Sequence, residues 1–212
     1  GQYDDLETRY ESIEQFVPPY VCIKSRVFRV TFQDTLGLEH AWTLGFDDLT
    51  QRILRADELR RQADDEWNLL RLDLPSGEIR YVEDFEVFVD PSAFEVVIPD
   101  MFYEAADEES FVREAWNVVA QLTSYSLDIG EDDMPRDPIE TLLAGGGDCE
   151  DTAILLASLL RAAPVDWTVD LLYMDSAYPL DPQVPDHVIV RLKSAGRVYY
   201  LETAFAEGSL KI

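Results

Sequence analysis

Apolar positions along this chain recur in three patterns, and each predicts a different element. Helical spacing comes first. Leu6, Tyr10, Ile13 and Phe16 recur every three or four residues in an acidic stretch that Pro18 and Pro19 close, which predicts a short amphipathic helix. Ile53, Leu54, Leu59, Trp67, Leu69 and Leu70 lie among many charges and predict a long solvated helix over 50–70. Phe111, Ala115, Val118, Val119 and Leu122 form one face of a helix over 108–125, with Trp116 beside it. A short helical turn is expected over 139–143. Alternation is the second pattern. It predicts strands at Val27-Phe28-Arg29-Val30 within 20–32, at 85–89 and 94–98 around the break at Pro91, and over 167–174. His187 to Leu192 and Arg197 to Thr203 flank Ser194-Ala195-Gly196 and predict a hairpin. The third pattern is Ile154-Leu155-Leu156-Ala157-Ser158-Leu159-Leu160, apolar nearly all round, which predicts a buried helix ended by Ala163-Pro164.

Composition sets the outer limits. The 212 residues suit one sizeable domain, or one domain with an extension, and 47% hydrophobic content can fill a core. Forty-three acids against seventeen bases leave a net charge of -26. Nucleic acid and anionic membrane surfaces are therefore not expected as partners, since both require a basic footprint. No apolar run is long enough to span a bilayer. Acids spread along a chain with this much apolar content predict a surface adapted to high salt, as in a halophilic source, rather than disorder. The chain opens on Gly1 rather than Met, as a trimmed chain would, so a removed export segment and the compartment stay open.

Chemistry concentrates at Gly145-Gly146-Gly147-Asp148-Cys149-Glu150-Asp151-Thr152-Ala153, the entrance to the buried helix. The glycines permit a tight backbone approach. Asp148 is expected to cap the first turn, with Asp151 as its capping-box partner. A thiol at this point feels the positive end of the helix dipole, which favours thiolate, the nucleophilic form. The alternative is a small hydrophobe at a helix start, as many free cysteines are. Cys22, in Val21-Cys22-Ile23, reads as core, and a bridge between the two cysteines would silence Cys149.

The hairpin supplies the partners. If Lys193 pairs with Gly196, facing residues have numbers that add up to 389, which sets His187 opposite Glu202 at about 5 Å between Cβ atoms. A register shifted by one residue would put them on opposite faces. Cysteine, histidine and carboxylate so arranged can act as a nucleophilic triad: the imidazole takes the thiol proton and the carboxylate orients the ring. His40 has no neighbouring nucleophile in sequence, and Asp186, next to His187, should point the other way.

Gly147-Asp148-Cys149-Glu150-Asp151-Thr152-Ala153, with Asp186-His187-Val188 and Tyr200-Leu201-Glu202-Thr203, resembles the transglutaminase-like superfamily of cysteine hydrolases, closest to its prokaryotic cysteine proteinases. The resemblance covers about residues 108–205. It implies an α+β fold with a papain-like core, the nucleophile on a central helix against an antiparallel sheet. The first hundred residues carry no such resemblance; their patterning reads as a helical and β-rich N-terminal extension over 1–107, in one compact unit with the catalytic core over 108–212. The resemblance implies Cys149 as nucleophile, His187 as general base and Glu202 as orienting acid, where many members carry Asp. An oxyanion hole would combine the nucleophile's own N–H with an upstream donor; Gln121 and Tyr125 are candidates by type, and Trp116 is either a third or part of the core. Three acids beside a thiol oppose thiolate. A calcium ion held by Asp148, Glu150 and Asp151, with Glu131, Asp132 and Asp133 as further ligands, would relieve this, and the related proteinases are calcium-dependent. Helix capping in a generally acidic chain is the alternative, and no cofactor is required. The expected activity is hydrolysis of an amide in a peptide or protein. Amine transfer, a silent binding module, and an N-terminal segment that covers the cleft are the rivals.

Overall fold

A computed structural model describes residues 21–24, 27–63, 69–95, 97–99, 101, 105, 107–126, 135–177 and 184–204. The helix expected from Leu6 to Phe16, the strand residues Tyr20 and Val96, Trp67, and the acids Glu131, Asp132 and Asp133 lie outside them. In chain order the elements are β1 (Val21–Lys24), β2 (Val27–Gln33), β3 (Glu39–Gly45), α1 (Phe46–Ala63), β4 (Leu69–Asp73), β5 (Ile79–Glu83), two 3-10 turns (Phe85–Phe88 and Pro91–Ala93), α2 (Glu108–Leu122), β6 (Ser124–Tyr125), α3 (Pro138–Ala144), β7 (Gly146–Gly147), α4 (Cys149–Arg161), β8 (Thr168–Met174), β9 (His187–Ser194) and β10 (Arg197–Leu201). The larger sheets are antiparallel, in the orders β1-β2-β3 and β10-β9-β8, and the helices pack beside them, so the class is α+β.

A helix apolar on every side must be covered on every side. Each residue of α4 from Cys149 to Leu160 is buried. Strands β8 and β9, helices α2 and α3 and both 3-10 turns supply the cover. Val188, Val190 and Leu192 of β9 are buried, and Phe111 of α2 stacks on Trp167 at 5.8 Å. The core is continuous from Val30, Phe32 and Trp42 through Phe94 and α4 to Leu201, so it crosses position 107 without a break. Strand β2 is tied to α2 by polar clips: both ends of the Gln121 amide bond the backbone of Gln33, and Glu114 accepts from Thr35 N–H.

Two stretches depart from the expected pattern. The helix over 50–70 ends at Ala63, and Leu69 and Leu70 belong to β4, which pairs with β5 across the turn at Pro75–Gly77. Leu70 and Leu72 are half-buried while residues 69, 71 and 73 are exposed, which is strand periodicity. The stretches 85–89 and 94–98 are not strands. Asp84 accepts from Glu86 N–H at 3.1 Å and Asp90 accepts from Ser92 N–H at 3.0 Å, so side chains wind the backbone into 3-10 turns. Phe88, Phe94 and Ile98 still reach the core.

Ion pairs fasten α1 to the rest. Arg52 and Arg55 pair with Asp90 at 2.8 and 2.5 Å, and Arg60 pairs with Glu140 at 2.5 Å while donating to Pro135 O at 2.7 Å. Asp137 caps α3 by accepting from Ile139 N–H, and Glu140 completes the capping box. Burial pushes the Asp137 carboxyl from 3.8 up to about 7, against the pull of the Ile139 bond. The fold thus favours the neutral acid, and that stabilisation is complete below pH 3.8 and lost as pH rises through about 7. Asp137→Asn keeps the acceptor and removes the charge. It should raise the melting temperature at mildly alkaline pH and leave it nearly unchanged in acid, whereas Asp137→Ala should cost about 1 kcal/mol in acid, where only the cap is lost, and less in alkali, where the buried charge is lost with it. An Asn variant that melts below wild type in alkali would contradict this assignment.

Candidate active site

The glycine run is required by contacts on both sides. Gly145 closes α3 with φ of 74°, and Gly146 sits at φ of 134°. A side chain on Gly146 would collide with the backbone of Ser124, and one on Gly147 with Asp151 and Arg136. These approaches let β6 and β7 pair in parallel, Ser124 with Gly146 and Tyr125 with Gly147. Tyr125 is thereby fixed alongside the residue two before Cys149.

Asp148 takes the N-cap position of α4, but its side chain makes no capping bond, so the expected capping box does not form. The reason is the direction of Asp151. Its Oδ1 accepts from Arg136 N–H at 2.8 Å and its Oδ2 is paired with the Arg136 guanidinium. Asp148 O instead accepts from Thr152 Oγ1 at 2.9 Å. Cys149 is a free, buried thiol at the first helical position, and its Sγ donates to Glu150 Oε2 at 3.4 Å.

The hairpin brings its partners together by a register slightly different from the expected one. Ser194 pairs with Arg197 across Ala195-Gly196, both with positive φ, so facing residues add up to 391 rather than 389. The shift of two residues preserves the face. His187 and Glu202 become diagonal neighbours, and His187 Nε2 lies 2.8 Å from Glu202 Oε2. With Nε2 occupied at Glu202, Nδ1 is the ring nitrogen left to interact with Cys149, whose proximity raises the His187 pKa.

Glu202 is fixed from four directions. Its Oε1 accepts from the N–H groups of Thr203 and Ala204 at 3.0 and 2.9 Å. Its carbonyl accepts from Trp116 Nε1 at 2.7 Å, and Thr203 Oγ1 lies 2.9 Å from Thr152 Oγ1 of α4. Burial disfavours its charge, but the bonds from His187 and these N–H groups outweigh burial and hold the carboxyl below its usual range. The side-chain bonds to Cys149 and then Glu202 push His187 from 6.5 up to about 10, so the ring carries its proton at neutral pH.

Tyr125 is exposed at 44%, and the partial burial of its hydroxyl together with the neighbouring acids Asp148, Glu150 and Glu202 raises its pKa. It is thus a protonated donor in reach of the site's field. Gln121, the other oxyanion candidate, is turned elsewhere: its amide is occupied at Gln33, the last residue of β2. Trp116 is neither oxyanion donor nor mere core, because its ring N–H holds the Glu202 backbone. Asp186 turns away to Ser176, and His40 pairs with Asp34. A cavity of about 660 Å³ lined by Phe32, Trp42, His40, Met101 and Glu114 shares no lining residue with Cys149, His187 or Glu202.

Asp148, Glu150 and Asp151 are buried, with ligand atoms within 4.8 Å of one another. The donor type suits calcium. The Arg136 guanidinium already sits on Asp151, so an ion coordinated by all three would face a fixed positive charge across that carboxylate. Arg136 is the residue that sequence reasoning missed. No spacing signal links it to Asp151, fifteen positions on.

No model of a known protein family matches the chain, and no curated protein or solved structure matches it.

The raised His187 value has a definite sign. Its stabilisation is fully present below pH 6.5 and is lost as pH rises through about 10. The melting temperature of wild type should therefore exceed that of His187→Ala by most near pH 6.5, with the gap closing toward pH 10. A gap that widens in alkali would exclude a protonated His187.

Proposed function

We propose that this chain is a cysteine-dependent amide hydrolase with a papain-like, transglutaminase-like core, acting on a peptide or protein. The observation that carries the reading is His187, paired with Glu202 at 2.8 Å and near enough to Cys149 for that thiol to raise its pKa. A buried thiol that merely packs needs no such partner, and a histidine at a strand start needs no carboxylate held in place by two backbone N–H groups.

The chemistry follows from these positions. The thiol proton is held by His187 as imidazolium, and the sulfur, as thiolate, attacks the carbonyl carbon of the substrate. Negative charge develops on the carbonyl oxygen. The Cys149 N–H at the start of α4 and the Tyr125 hydroxyl are the donors assigned to it. As the C–N bond breaks, imidazolium gives its proton to the departing amine and a thioester remains. Water then attacks, His187 takes its proton, and the carboxylic acid leaves with the thiol restored. An amine in place of water would give transfer by the same steps. Glu202 stays ionised and keeps the ring oriented. None of these steps requires a metal.

Alkylation by iodoacetamide at mildly acidic pH tests the pair directly, because an ordinary thiol with pKa of about 8.5 is nearly inert there. Wild type should label at Cys149, and His187→Ala should label on the order of a hundredfold more slowly. Equal labelling in both would favour the binding-module reading. Once a cleaved peptide is found, Tyr125→Phe should lower kcat by on the order of 10²-fold with little change in KM. An unaffected kcat would remove Tyr125 from the oxyanion site.

A further inference from the structure

Three acids lie buried in the first turn of a buried helix, beside the proposed nucleophile. Such a concentration of charge is costly unless it is compensated within the structure. The compensation is visible at one of the three. Arg136 reaches Asp151 twice, through its backbone N–H at 2.8 Å and through its guanidinium. The two groups are joined at Gly147, where any side chain would collide with both. Asp151 is fully buried, and Arg136 is a quarter exposed.

The segment that carries Arg136 is itself held in place. Arg60 of α1 donates to Pro135 O, and Asp137 caps α3 by accepting from Ile139 N–H. The guanidinium is therefore delivered by a strap fixed at residues 135 and 137, rather than by a free surface side chain.

We infer that Arg136 is a positioning residue that serves as the resident cation of the acidic cluster, doing at Asp151 what a bound calcium ion would otherwise do. Its charge neutralises Asp151, and its two bonds to that carboxylate fix the first turn of α4 and with it the sulfur of Cys149. This inference rests on the catalytic reading only for the consequence at the thiol. The charge compensation stands on the ion pair alone. It also explains why Asp151 does not form the capping box with Asp148: the carboxylate is turned to Arg136 instead.

The test uses the full chain as wild type, Arg136→Met, Arg136→Met with Asp151→Asn, and His187→Ala. Each is melted in calcium chloride and in potassium chloride of equal ionic strength, and Cys149 labelling by iodoacetamide is followed by peptide mapping. Wild type should melt and label alike in the two salts. Arg136→Met should melt lower, label on the order of tenfold more slowly, and recover in both respects when calcium is present. The double variant, which loses the Asp151 charge together with its partner, should regain most of the lost melting temperature and show no calcium response. A wild type that calcium stabilises as strongly as it does Arg136→Met would overturn the inference, as would an Arg136→Met that melts and labels like wild type. Should Arg136→Met not fold, the double variant decides: recovery of folding is the expected result, and failure of both overturns the role. His187→Ala separates the two readings. If labelling is indifferent to His187, the catalytic pair fails, while the calcium contrast among the Arg136 variants still reports the cation.

Discussion

Complete burial of α4 is the constraint on which the rest of the structure depends. Twelve consecutive residues from Cys149 to Leu160 are withdrawn from water, so no face of this helix is available to solvent. Sheet β10-β9-β8, helices α2 and α3 and the 3-10 turns at 85–93 are arranged as its cover. A sulfur at the start of such a helix cannot drift, because the helix has no soft side on which to tilt. Immobility of the thiol is thus a consequence of packing, and the sheet that packs on α4 also carries His187 on β9 and leads straight into Glu202 after β10.

The same burial creates the electrostatic difficulty. The first turn holds Asp148, Glu150 and Asp151, all buried, where charges interact strongly. Positive charge must come from elsewhere in the chain, which has few bases to give. Arginine is used for it at buried and half-buried carboxylates: Arg52 at Asp90, Arg60 at Glu140 and Arg136 at Asp151. A planar guanidinium can bond two acceptors at once, which suits a position that must both neutralise and orient. Arg60 bonds a carboxylate and a carbonyl together, and so couples α1 to the strap before α3. The first hundred residues therefore meet the rest through charge as well as through the continuous core.

Much of this was legible in sequence, and the failures have identifiable causes. The nearly unbroken apolar run from Ile154 to Leu160 announced a buried element, and the acids just ahead of it marked a helix start. The facing of His187 and Glu202 was legible because strand periodicity is two: an error of two residues in the register leaves the face unchanged. The Phe85–Val89 stretch was misread because its alternation is real, but Asp84 and Asp90 bond the backbone locally and win over the ladder. Leu69 and Leu70 were misread because two adjacent leucines fit a helical stripe as well as a strand, and only the turn at Pro75–Gly77 with the pairing to β5 decides between them. Arg136 carries no local signal at all. Its role exists only once residues 136, 147 and 151 are brought together in space.

The three glycines link the two halves of the site. Gly146 can pass against the backbone of Ser124 because it has no side chain, and that contact lets β6 lie parallel to β7. The pairing sets Tyr125 beside Gly147 on one side of the chain, while the Arg136–Asp151 pair occupies the other side of the same glycine. A two-residue ladder is too short to be stable alone. Here it is held by Ser124 N–H to Gly145 O and Ser126 N–H to Gly147 O, each at 2.9 Å, between two buried helices. The proposed oxyanion donor and the cluster's cation are therefore fixed by one short piece of backbone. Any residue larger than glycine at 147 would push against the ion pair directly and, through the ladder, against Tyr125, so the site's electrostatics and its donor geometry cannot be altered separately at that position.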